Sequence, residues 1–169
     1  MPYRHRSLHR AAAPIVVALN GMAAGGGFSL VLSANLAVAK RSAKLNSAYT
    51  RTGLTPDGGG TWLLERLVGP QRAFDLMATN PTLTADQAHA LGLVSRVVDD
   101  AAFDNEVRSV AQSLVALPAG AATRLKRLFA SSIGGGVSLE ARMQAESEAL
   151  ATSVAQPETL ARLDAFLKK

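Results

Sequence analysis

The chain contains no cysteine, so disulfides and cysteine-ligated metal sites are excluded. Aromatic residues make up only 5% of it. None interleaves with the basic residues, as nucleic-acid binders usually arrange them. Long hydrophobic runs are missing as well. The most apolar stretch, Ala11–Met22, is broken by Pro14, Asn20 and Gly21 and is too short to cross a bilayer. Arg4, Arg6 and Arg10 near the N-terminus precede neither a long apolar segment nor a cleavage pattern. The three histidines, His5, His9 and His89, are too scattered for a metal site, and the chain has no internal repeat or low-complexity segment. These absences lead us to expect a soluble, cytoplasmic protein with no metal, no nucleic-acid partner and no membrane span.

The 169 residues are 48% hydrophobic and 18% charged, enough to bury a real core. The formal net charge of +5 is spread along the chain, apart from local concentrations at Arg4–Arg10 and Arg124–Arg127. A small ligand bearing several phosphates would use this charge economically.

Ile15, Val16 and Val17 are β-branched and contiguous, so Ala12–Leu19 is expected to be a buried strand. Asn20-Gly21 signals a turn. Gly25-Gly26-Gly27 follows, then a short helix over Phe28–Ala34 and a strand over Leu36–Ala39. Lys44–Leu54 is expected to be irregular or briefly extended. A second glycine loop, Pro56-Asp57-Gly58-Gly59-Gly60, leads into a helix over Thr61–Val68 with Leu63, Leu64, Leu67 and Val68 on one face. Gly69-Pro70 stops that helix and opens another. Thr84 and Gln87 form a capping box before a short helix ended by Gly92, and Leu93–Val98 is expected to be a strand. Beyond Asp100 the periodicity is helical, over Phe103–Leu117, Ala119–Ser131, Leu139–Ser153 and a last helix opened by Pro157. The chain therefore divides near residue 100, into an α/β part over 1–100 and a helical part over 101–169.

The triple glycine lies between strand and helix. It lacks the spacing of a dinucleotide fingerprint, and no Gly-Lys-Ser/Thr follows it as in a P-loop. Two readings remain: a tight turn packing strand on helix, or an oxyanion hole using the Gly26 amide.

The order and spacing of several weak motifs decide more than this loop does. Pro14–Gly21, Ala23–Gly27, Gly53–Thr61, Val68-Gly69, Leu83-Thr84-Ala85 and Ala90–Val94 together resemble the crotonase family of enoyl-CoA hydratases and isomerases, from about Ala12 to Leu167. The resemblance implies a partial ClpP/crotonase-like ββα spiral followed by a C-terminal helical region that builds homotrimers or hexamers. It also implies an acyl-CoA substrate, with coenzyme A entering as a thioester and no resident cofactor, whose enolate is held by two backbone amides. Gly26 matches one of these amides. The other belongs to the family's N-terminal third, which this chain is expected to lack. Ala24, Gly25, Ser29 and Tyr49 are matched to the substrate pocket, and Lys169 to a lysine that reaches the coenzyme phosphate.

Ser29 and Tyr49 stand where the hydratases carry two glutamates. Neither side chain is a carboxylate base, so two-carboxylate water addition is not expected. Asp57 in the second glycine loop resembles the catalytic aspartate of ring-epoxidised phenylacetyl-CoA isomerases. A single carboxylate suffices to move one proton through an enolate, provided that burial against residues such as Tyr49 and Trp62 tunes it. The expectation is an acyl-CoA isomerase using Asp57 and Gly26. The alternatives are a hydratase-like enzyme, or a non-catalytic acyl-CoA-binding or assembly protein in which Asp57 merely caps a turn. Trp62 is expected in the core.

Overall fold

The computed structural model describes Leu8, residues 11–132 and residues 138–168. His5, His9 and Lys169 lie outside this range. The β-branched run forms β1 (Val16–Leu19), shorter at its start than expected. The Ile15 carbonyl accepts the Asn35 and Leu36 amides, and the Ile15 amide donates to Asn35 Oδ1 at 2.9 Å. The chain turns at Asn20-Gly21 into β2 (Met22–Ala24), an element that the sequence pattern does not announce. α1 (Gly26–Leu32) and β3 (Leu36–Lys40) follow, and β4 (Lys44–Asn46) gives the expected brief extension.

Among the described residues the strands form two three-stranded sheets. In the first, β3 pairs in parallel with β1 (Val16↔Leu36) and with β6 (Arg96–Val98; Val38↔Arg96). In the second, β4 runs parallel to β2 and antiparallel to β5 (Leu83–Thr84). From β1 to β4 successive strands alternate between the two sheets, while β4 and β5 are neighbours in the second sheet and β6 returns to the first.

The glycine loop after Pro56 opens α2 (Gly60–Val68) with Gly59 in the left-handed region. Gly69 and Pro70 separate it from α3 (Pro70–Thr79), and the proline at the first position needs no amide partner. Thr84 and Gln87 make both bonds of the capping box at α4 (Ala85–Ala90). The expected strand over Leu93–Val98 begins only at Arg96. Leu93 instead donates to the Ala88 carbonyl at 2.8 Å and closes the helix end, with Gly92 at a φ of 75°.

The described residues fall into two compact units. The first, built mainly from Ile15–Ala111, contains both sheets, α1–α4 and most of α5 (Phe103–Val115). Its core includes Phe28, Leu45 and Leu64, all essentially solvent-free. Burying each such side chain contributes about 1.5–3 kcal/mol relative to exposure. The exposed Arg41 guanidinium bonds Asp86 and Asp99, each at 2.8 Å, and so ties the β3–β4 turn to the segments around β6.

The second unit combines Ala12–Pro14 with Gln112–Lys169. It contains α6 (Ala119–Ser132), α7 (Leu139–Val154) and α8 (Pro157–Leu167). The buried Lys126 donates from Nζ to the Ala13 carbonyl at 2.8 Å, and burial lowers its pKa below the ordinary lysine value.

Candidate active site

The candidate residues converge within the first unit. Gly25 precedes α1 with a φ of 54°, a conformation that disfavours any side chain. Its amide donates to the carbonyls of Asn46 (3.3 Å) and Ser47 (3.1 Å). This bond pair ties the start of α1 to the end of β4. Gly26 is the first residue of the helix, so its N–H has no carbonyl four residues back to bind. It is exposed, and a Cβ placed there meets no atom within 4 Å. Ala24, the last residue of β2, is exposed beside it.

Ser29 and Tyr49 face each other across the core, their oxygens 3.4 Å apart. Ser29 is fully buried, and its hydroxyl donates to the Asp57 carbonyl at 3.0 Å. The same carbonyl accepts the Gly60 amide at 3.0 Å. Gly60 is required by close approach, because a Cβ there would lie 2.6 Å from Ser29 Oγ.

Tyr49 is buried, and its hydroxyl donates to Asp57 Oδ1 at 2.6 Å. Burial, and then the hydrogen bond to Asp57, raise the Tyr49 pKa above the ordinary tyrosine value. The phenol therefore stays a neutral donor into alkaline solution. A raised pKa adds folding stability that is fully present below the unfolded tyrosine value and is lost as pH rises through the folded one. Tyr49→Phe should accordingly flatten the alkaline limb of the stability profile. Thermal melts of both proteins across the alkaline range test this, and identical slopes would show that Tyr49 carries no such linkage.

Asp57 differs from expectation in one respect. Its carboxylate is oriented by Tyr49 but is exposed rather than buried. Trp62 is not a core residue either. It is 39% exposed and stacks with the Arg66 guanidinium 3.8 Å from the ring centroid. The buried positions of α2 are Gly60, Leu63 and Leu64, which turn Trp62 away from the interior. A cleft of about 430 Å³ opens between the Thr50–Pro56 loop and helices α2 and α3. Gly26, Tyr49 and Asp57 do not line it, so its volume says nothing of the chemistry at Asp57.

Pattern reading overlooked the polar residues beneath Tyr49. Asn46, Ser47, Thr50 and Asn80 are joined by side-chain hydrogen bonds, and Asn46, Ser47 and Asn80 are buried. The available signal was the dipeptide Asn80-Pro81 after an amphipathic helix, where asparagine tolerates the left-handed conformation. Among the described residues no group of three or more histidine, cysteine or acidic side chains is placed to hold a metal ion. None of their helices is long and apolar enough to cross a membrane.

Comparison with known proteins agrees with this architecture. Residues 4–169 match the family model described as enoyl-CoA hydratase/isomerase. The chain belongs to that family, within the crotonase superfamily. It is 41% identical to 1,2-epoxyphenylacetyl-CoA isomerase of Escherichia coli over 67% of its own length and 43% of the relative's. It is 34% identical to a 4-chlorobenzoyl coenzyme A dehalogenase of an Arthrobacter species over 99% of its length and 61% of the relative's. The crystal structure of an enoyl-CoA hydratase subunit from Geobacillus kaustophilus superposes with a TM-score of 0.91 at 31% identity, covering 97% of this chain and 63% of that one. The chain thus spans about half the length of the curated relatives it matches.

Proposed function

We propose that the protein is an acyl-CoA isomerase in which Asp57 moves one proton between two substrate carbons. Asp57 removes a proton from the carbon next to the thioester carbonyl. The electron pair delocalises onto the thioester oxygen, which the Gly26 amide stabilises. The resulting carboxylic acid returns the proton to a second carbon, so the double bond moves, Asp57 is regenerated and no water is consumed. The observation that carries this reading is the single carboxylate of Asp57, aimed through Oδ1 by Tyr49 and opposed by Ser29 rather than by a second carboxylate. Substrate contacts by Ala24, Gly25, Tyr49 and Lys169 belong to the same proposal, as does a cytoplasmic location; Ser29 is fully buried and supports the site from behind through Tyr49 and Asp57.

The test is incubation with 3-enoyl-CoA and with a ring-epoxidised aryl-CoA, resolving isomer from 3-hydroxyacyl-CoA by chromatography. Isomer without hydroxyacyl product is expected. Hydroxyacyl product from a 2-enoyl-CoA would favour the hydratase reading. The absence of any turnover would favour a binding or assembly role.

Self-association into trimers or hexamers forms part of the proposal. It is supported by the exposed Leu125, Phe129, Met143 and Leu150 on α6 and α7, since apolar patches of that kind usually mark interfaces. Light scattering at micromolar concentration should give at least three times the chain mass. A clean monomer would remove this part.

A further inference from the structure

We propose that Asn80 is a positioning residue, which fixes the segment joining the Gly26 amide to the Asp57 carboxylate; this inference rests on the acid/base reading of Asp57. Asn80 ends α3 in the left-handed conformation (φ 51°) and is 1% exposed. Every polar group of its side chain is engaged. Oδ1 accepts the Ser47 hydroxyl, while Nδ2 donates to Thr50 Oγ1 and to the Met77 carbonyl at 3.1 Å. Its backbone carbonyl accepts Asn46 Nδ2 at 2.9 Å. One residue thereby grips positions 46, 47 and 50.

Those positions flank what the site uses. The carbonyls of Asn46 and Ser47 hold the Gly25 amide, one residue before Gly26. Tyr49, between Ser47 and Thr50, donates to Asp57. Between the two grips Ala48 is held at a φ of 55°, a conformation that a residue with a Cβ disfavours and keeps only where the surroundings impose it. Both halves of the site thus depend on one short segment, and Asn80 sets that segment's shape. Misplacing reacting groups by about 1 Å costs roughly 10²-fold in rate.

The test uses Asn80→Gly, which keeps the left-handed turn and deletes the side-chain bonds, with Ser47→Ala as a milder variant should Asn80→Gly fail to fold. Ser47→Thr keeps a hydroxyl at position 47 and should restore the Ser47→Ala losses. In a Tyr3→Phe background Tyr49 is the sole tyrosine, so phenolate absorbance reports it directly. The expected result is a kcat reduced roughly tenfold to a hundredfold with KM little changed, together with a Tyr49 titration that moves down toward an ordinary tyrosine. A merely structural asparagine would lower the melting temperature and move neither readout, and that outcome in a folded variant overturns the proposal. If the unmutated protein turns over no acyl-CoA, the Tyr49 titration alone decides. A shift then upholds the clamp while the isomerase reading falls, and no shift overturns the clamp too.

Discussion

Replacing Asp57 with asparagine should leave the fold intact and slow acyl-CoA isomerisation roughly 10²–10⁴-fold, the usual cost of losing one positioned acid/base group. The substitution is conservative in shape. The side-chain oxygen that receives the Tyr49 hydroxyl at 2.6 Å is retained as an amide oxygen. The backbone carbonyl still accepts Ser29 Oγ and the Gly60 amide. Asp57 is exposed, so the new amide buries no unpartnered polar group. What disappears is the capacity to take up a proton. Turnover of 3-enoyl-CoA, measured alongside a thermal melt, separates chemistry from folding. A folded Asp57→Asn protein with unchanged turnover would make this residue a turn-former only.

The second large effect is expected at Gly26. Gly26→Pro removes one N–H and little else, because proline is tolerated at the first position of a helix and a Cβ there meets no atom within 4 Å. Gly25, at φ 54° and ψ −121°, is already outside the helical region that a following proline disfavours. If that amide holds the developing enolate oxygen, turnover should fall roughly 10²–10³-fold, as it does when an oxyanion-hole donor is deleted. Gly26→Ala keeps the N–H and serves as the control. Equal losses in both variants would point to crowding of the ligand rather than to the missing donor.

Much of the architecture was legible because local signals and global fold agree. The β-branched run before Gly21, the Gly69-Pro70 break and the Thr84–Gln87 box each specify one backbone solution and each gives the expected element, although the strand starts at Val16 rather than Ala12. β2 was not legible. Met22-Ala23-Ala24 carries no β-branched residue, and its extended form comes from pairing with Lys44–Asn46, a long-range contact. Of the candidate site, Gly26, Ser29, Tyr49 and Asp57 were found through resemblance and are brought together by the fold. The Tyr49–Asp57 bond was not foreseen, although only eight residues separate the partners. The Asn80 clamp escaped because its partners are some thirty residues away, at Asn46, Ser47 and Thr50. Trp62 departs from the rule that large aromatic side chains belong to the interior, because the buried face of α2 is formed by Gly60, Leu63 and Leu64. The helix buries Gly60 where a bulkier residue would collide with Ser29.

The parallel pairing of β3 with β6 also constrains how the chain reaches its structure. Val38 meets Arg96 only after a long intervening segment has been gathered in, and the Arg41–Asp99 bond that pins this pairing joins residues 58 apart in sequence. Loop closure on that scale has to be met before the contact repays it, and such non-local pairings slow folding. β1 and β3, twenty residues apart in register, can associate first. During synthesis the far edge of β3 then stays unpaired until Val98 has left the ribosome, an edge of the kind that invites association with other chains. Elongation rate and chaperone availability while residues 40–98 emerge should therefore affect the yield of native protein.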